Sequence, residues 1–435
     1  MKRELGIFER ALVISDQHAP FHMVCVLRLE GTPSPKILKQ ALRSLQNHHP
    51  FLKVHLLKEK GRYYFETLQN PGIPFHVLPR WNDEHWAPVA EVELGTRMDV
   101  TSDPLFRCTY LFNANQKNTE IILTFFHPIL DAASAGQLMH ELLTTCTALM
   151  NEKTVTVFEL PPNPPVESRF PSAYRGLRLS LQTLRYVVQQ ISDEISYRVR
   201  TRNKRIPPLL AGTTRGHFLS IQLPENLVDS LSRRARLENV TFNTLLNTAM
   251  LIAVNRHLYA GKYVPMRTFS FVDLRPYVEP PLPNENLACY ISMLRFTVSV
   301  EGGIDFWHLA HQLQLKIYRS LKSGDKFVAA TMSESLLKMV TRLKSFRMGS
   351  TALNYNGVSQ IQPNYGAIKV RDIHGYVSAY DLGPELSGQA QLFNDKLIWD
   401  FVYLDADMSR DEAKAIVEEI KSILNSSIQS PIIRI

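Results

Sequence analysis

His127 and Asp131 stand four residues apart in TFFHPILDAAS, where an apolar run meets a helix-like one. An imidazole with its unperturbed pKa of about 6.5 can take a proton from an attacking hydroxyl or amine at neutral pH. Pro128 fixes its own φ and carries no N–H, so the link between the two residues is stiff. Asp131 is placed to cap a helix beginning at Ala132 while its carboxylate points inward. A carboxylate held away from water implies a nearby cation. The same spacing also suits a polar strand end followed by an ordinary helix cap, and His-x-x-x-Asp alone does not choose between them. Ser134 and Ser292 lack the G-x-S-x-G elbow of a serine nucleophile, so covalent serine catalysis is not expected.

The elements that would hold these residues can be read from periodicity. Strands are expected over 22–31, at KVHLL and RYYFETL joined by a KEKG hairpin, and at PLFRCTYLF and EIILTFF, the last running into His127. A helix capped at Ser34, with Pro35 in its first turn, places Ile37, Leu38, Ala41, Leu42 and Leu45 on one face. The proline-rich stretch 150–172 breaks regular structure and divides an N-terminal lobe (1–165) from a C-terminal lobe (173–435). The second lobe opens with one long amphipathic helix ending in the basic segment RTRNKRIPPL. β/α alternation then resumes: strands at HFLSIQL, MRTFSFVDL, CYISMLRFTV and KLIWDFVYL, helices at PENLVDSLSRRARL, TFNTLLNTAMLIAVNRHL, DFWHLAHQLQLKIYRSL and SRDEAKAIVEEIKSIL. The fold class this grammar predicts is α/β of the α+β type in two lobes.

At 435 residues the chain is long enough for two cores, and 45% hydrophobic with 21% charged residues places it among soluble globular proteins. The start lacks the apolar core of a secretory signal, and no stretch reaches eighteen uninterrupted apolar residues, so a cytoplasmic protein without a membrane span is expected. Cys25, Cys108, Cys146 and Cys289 are scattered, which fits reduced buried thiols and gives no structural zinc pattern; no metal is expected. The net charge of +8 suits an anionic partner. Nucleic acid is not expected, because no helix-turn-helix, zinc finger or RNP-like aromatic pattern is visible.

In order along nearly the whole chain, LKQALRSLQNHHPFLKVHL, FHPILDA, FVDLRPYVEPPLPNENLACYISML, LNYNGVS and WDFVYLDADMSRDEAKAIVEEIKSIL resemble the segments of the condensation-domain and chloramphenicol-acetyltransferase-like superfamily. Among its members the chain looks closest to stand-alone polyketide-associated acyltransferases, the phthiocerol dimycocerosyl transferase-like group. The resemblance implies two chloramphenicol-acetyltransferase-like lobes forming a V with a substrate tunnel between them. It implies acyl transfer from a coenzyme A or carrier-protein thioester to an alcohol or amine, in polyketide, lipid or peptide natural-product biosynthesis. His127 would be the general base, no cofactor would be resident, and acyl-coenzyme A or a phosphopantetheinyl carrier protein would be the donor. Asp131 would pair with Arg275 of VDLRPY across the lobes, where the other reading of Arg275 is a solvated residue before a turn. Asn354, Tyr355 and Gly357 would line the tunnel with Ala132, although N-Y-N-G is equally a turn sequence. The donor would dock on Arg198, Arg200, Arg202, Lys204 and Arg205, a run that otherwise reads as a solvated loop. Two positions depart from the family's H-H-x-x-x-D-G: Phe126 replaces the first His and Ala132 the Gly. Ala132 motivates the alternative of a catalytically degenerate module that binds a carrier protein or ligand.

Overall fold

The computed structural model describes residues 1–69, 71–201, 215–282, 287–342 and 347–429. In the first part run β1 (Lys2–Glu4), α1 (Ile7–His18), β2 (His22–Glu30), α2 (Pro35–His48), β3 (Val54–Glu59), β4 (Arg62–Thr67), β5 (Phe75–Pro79), α3 (Trp86–Gly95), β6 (Phe106–Phe112), β7 (Asn118–Phe126) and α4 (Ala132–Met150). After the proline-rich crossover come α5 (Gly176–Thr201), β8 (Gly216–Leu223), α6 (Glu225–Leu237), α7 (Phe242–Leu258), β9 (Val264–Asp273), β10 (Ile291–Val300), α8 (Phe306–Ser323) and α9 (Asp325–Val340). The chain closes with β11 (Gly349–Val358), β12 (Lys369–Val377), β13 (Pro384–Phe393), β14 (Lys396–Leu404) and α10 (Arg410–Gln429).

Local chemistry sets the elements around the site. Ser34 accepts a hydrogen bond from the Ile37 N–H and, with Pro35 in the first turn, starts α2. Lys60 and Gly61 both take positive φ, the two-residue turn that matches the twist of the β3–β4 hairpin. The first lobe's larger sheet has the order β12-β2-β7-β6-β5. One face buries Leu27, Phe106 and Leu123 against Leu38 and Leu45 of α2 and Leu138 and Leu142 of α4. The other face, through Val24, Val26 and Ile122, packs on Trp86 and on Phe218 and Val402 of the second lobe.

The second sheet has the order β10-β9-β11-β13-β14-β8, with β11 parallel to both neighbours and the remaining pairs antiparallel. Against it lies α7, in which every residue from Thr244 to Asn255 is buried. A helix buried on all sides must sit between layers, here the sheet and α6, α8 and α10. The lobes are not split cleanly at the crossover. β12, from the C-terminal half, pairs antiparallel with β2 and closes an edge of the first sheet that would otherwise offer unpaired N–H and C=O groups. The crossover is itself packed: Val166 and Phe170 are buried with Leu274, Tyr290 and Phe327.

Candidate active site

β7 ends at Phe126, and His127 opens a single 3-10 turn, His127–Ile129, before Asp131 caps α4. The sequence folds this way because Pro128 suits the first turn of a short helix and lacks the N–H a continuing strand would need. His127 Nδ1 lies 3.0 Å from the Leu130 carbonyl oxygen. A carbonyl can only accept, so Nδ1 carries the proton and Nε2 keeps the lone pair. The Phe21 ring stacks on the imidazole at 5.5 Å between centroids and 17° between planes. His127 is buried, and burial lowers its pKa below the ordinary histidine value despite the Leu130 hydrogen bond and the Asp131 charge. The imidazole is therefore neutral at pH 7 and oriented, the condition a general base needs.

Asp131 performs two tasks. Its Oδ1 accepts from the Ser134 N–H at 3.0 Å, the N-cap bond that starts α4. Both carboxylate oxygens also receive Arg275, at 2.8 and 3.0 Å, in a fork-to-fork pair. Around this pair the Tyr290 N–H donates to Asp131 at 2.8 Å, and Arg275 donates further to Ser134 Oγ, the Ala288 carbonyl and Asp273. Burial would raise the Asp131 carboxyl, but the Arg275 charge and these N–H donors outweigh it and hold it below the usual carboxylate value. Burial would likewise lower the Arg275 pKa, and Asp131 reverses this. Asp131 and Ser134 come from the first lobe, Arg275, Ala288 and Tyr290 from the second. The network thus pins the lobes at the turn bearing His127.

The remaining sequence candidates separate. Ala132 is the first residue of α4 with right-handed helical backbone, so no glycine is needed there. The segment Asn354–Gly357 forms the end of β11 rather than a turn. Asn354, half-buried, shares a face with Ala352, which packs in the cluster that Phe21 joins. Tyr355 points the other way and packs on Phe242 of α7, ring centroids 5.3 Å apart, so the structure does not bring it to His127. Gly357 takes φ +68 at a bulge against β13, a backbone role. Arg198 pairs with Glu194 of its own helix at 2.7 Å; the side chain of Arg200 and all of Arg202, Lys204 and Arg205 lie outside the described residues.

The two serines weighed as nucleophiles are committed to other hydrogen bonds, and the cysteines are held as thiols. Ser134 Oγ serves the Arg275 network, and Ser292 Oγ donates to the Lys326 carbonyl at 2.6 Å. All four cysteines are free and buried, and burial pushes the Cys25 and Cys146 thiols up to about 12. Sequence reasoning missed Phe21, Asp273 and the Ala288 and Tyr290 backbone, and it weighed Ser134 as a nucleophile rather than as an acceptor for Arg275. Asp273 stood two residues before Arg275 and Tyr290 in CYISML, whereas nothing near Phe21 signals a ring over His127. It also missed His48, His49 and Glu141, whose ligand atoms lie within 4.8 Å of one another, with His49 Nε2 2.6 Å from Glu141.

Two α/β lobes joined at a buried His-x-x-x-Asp turn define the chloramphenicol-acetyltransferase-like class of fold. The Condensation domain family model matches residues 11–431, and the chain belongs to that family. Among solved structures it is similar to polyketide synthase associated protein 5 from Mycobacterium tuberculosis, at 16% identity and TM-score 0.70, covering 98% of each chain. It is also similar to trichothecene 15-O-acetyltransferase from Fusarium sporotrichioides, at 12% identity and TM-score 0.76, covering 98% of this chain and 95% of that one. A third is the first condensation domain of the calcium-dependent antibiotic synthetase with a bound substrate analogue, at 14% identity and TM-score 0.73, covering 100% and 98%. No curated protein sequence matches the chain. Among the described residues, no helix is long and apolar enough to cross a membrane.

Proposed function

We propose that the protein transfers an acyl group from a coenzyme A or carrier-protein thioester to an alcohol or amine, with His127 as the general base. The observation that carries this reading is the tautomer: Nδ1 is committed to the Leu130 carbonyl, so a buried, neutral Nε2 is the basic atom of the site. In the proposed step Nε2 takes the proton as the acceptor oxygen or nitrogen attacks the thioester carbonyl. The tetrahedral oxyanion then collapses, the C–S bond breaks, and the departing thiolate recovers the proton from the imidazolium. Ester or amide and free thiol result, with no acyl-enzyme required. Asn354, on the β11 face turned toward the Phe21 cluster, is the side chain proposed to meet substrate or oxyanion. Asp131 and Arg275 hold the turn and transfer no proton.

The product class, a polyketide, lipid or peptide natural product, and docking of an anionic donor on the basic run from Arg198 to Arg205 belong to the same proposal. Their support is the family and the net charge of +8. The test incubates the purified protein with a panel of acyl-coenzyme A and acyl-carrier thioesters plus alcohol and amine acceptors, reading thiol release and product mass. Acceptor-dependent thiol release supports the reading. Binding of a carrier protein without transfer from any thioester would replace it with the non-catalytic module.

A further inference from the structure

α5 is amphipathic in the opposite sense from its setting. Leu181, Leu184, Val188, Ile191, Ile195 and Val199 each leave between 54% and 70% of their surface in water. At 100° per residue they fall within an arc of about 80°, a seam roughly 27 Å long. The polar side turns inward: Gln190 accepts from Arg295 at 2.9 Å, Asp193 from Thr297 at 2.6 Å, and Glu194 from Arg267 at 2.7 Å. Tyr197 lies 3.6 Å beneath the same Arg267 guanidinium. The cause is the sheet below. β9 and β10 turn Arg267, Arg295 and Thr297 toward α5, so that side needs acceptors and the aliphatic stripe is left facing out.

We infer that this stripe pairs with α5 of a second copy of the chain, antiparallel about a two-fold axis. The spacing 181, 184, 188, 191, 195 is the a/d heptad of a two-helix seam, with Leu, Val and Ile at its positions. Facing copies would cover roughly 1,200 Å² in all, at about 100 Å² per side chain, the lower end of stable interfaces. A lipid surface fits less well. Interfacial helices present a free basic polar face and aromatic residues, whereas this stripe has neither Trp nor Phe and the polar face is spent on the sheet. Arg185 and Arg198, beside the stripe, are already paired with Asp325 and Glu194. The antiparallel order also sets the two basic C-terminal ends of α5 at opposite ends of the seam and opposes the helix dipoles.

The test is sedimentation of the full chain across micromolar concentrations, with thiol cross-linking. Wild type should sediment as a dimer. Val188→Glu/Ile191→Glu should weaken association by about 100-fold or more, since each change enters the interface twice, with the thermal midpoint of the monomer unchanged. The seam aligns 184 of one copy with 195 of the other, so Leu184→Cys/Ile195→Cys should form a covalent dimer. Leu184→Cys alone should not, because the two copies of 184 would stand roughly 16 Å apart along the seam. The native cysteines are buried and give little background. A monomeric wild type, cross-linking by Leu184→Cys alone, or Val188→Glu/Ile191→Glu failing to fold would each overturn the inference. So would a monomer that sediments with anionic vesicles through this stripe.

Discussion

Removing Arg275 strands a carboxylate that the fold has taken out of water. Asp131 would keep two N–H donors, from Ser134 and Tyr290, and lose the two guanidinium bonds at 2.8 and 3.0 Å. Two unit charges about 4 Å apart interact by about 4 kcal/mol at the effective dielectric of such sites. Breaking one side of a buried pair therefore costs roughly 3–5 kcal/mol, and Arg275→Met should lower urea-unfolding stability by that amount at pH 7. Asp131→Asn keeps the cap acceptor on α4 but leaves Arg275 with Asp273 as its remaining carboxylate. The double variant should cost about 2–3 kcal/mol less than the two single losses together. Asp131 has a depressed folded-state pKa, so its charge contributes stability above the unfolded value of about 3.9 and loses it as pH falls through the folded one. The coupling should shrink accordingly below about pH 4. Additivity within about 0.5 kcal/mol at pH 7 would refute the pairing and, with it, the claim that the lobes are pinned at this turn.

Burial lowers the His127 pKa, and the base form is the active one, so the acid limb of kcat/KM should have its midpoint below about 6.5; a midpoint above that value would contradict a buried neutral base. Ala132→Gly should leave the transfer rate within about twofold, because Ala132 already has unstrained helical backbone; a gain of about tenfold would show that the methyl obstructs a substrate path. Reversing the charge of Arg198, Arg202 and Lys204 should raise KM for a coenzyme A or carrier donor steeply at low salt and little at high salt, while a short uncharged thioester is unaffected. Equal responses from both donors would place donor entry elsewhere.

The turn itself was legible because its residues are local: an apolar strand, His127, Pro128 and a capping Asp131 within one stretch. Its partner was not, since Arg275 lies 144 residues away and spacing cannot see across lobes; the family resemblance supplied it. Strands that are short, nearly continuous apolar runs, such as β7 and β14, could be read directly, because both of their faces are buried. β12 and β13 could not, because Arg371, Asp372 and Gly375 or Gly388 and Gln389 interrupt their apolar pattern. Gly388 is forced by packing, as a Cβ there would meet Trp399 Nε1 at 2.7 Å, a constraint invisible in the local sequence. Tyr355 and Asn354 show the limit most clearly. Adjacent in a motif, they point to opposite sides of one strand, and a one-residue difference decides which side faces Phe21. The direction of the α5 stripe was equally out of reach, because it is set by Arg267 and Arg295 beneath it.

The account rests on His127, and the most direct measurement is the single-turnover transfer rate of His127→Ala, using the thioester and acceptor found active with wild type. The variant should fold with an unchanged circular dichroism spectrum and transfer about 10²–10⁴-fold more slowly, the usual contribution of a positioned base. A folded His127→Ala protein retaining at least about half the wild-type rate would remove His127 from the chemistry and contradict the account.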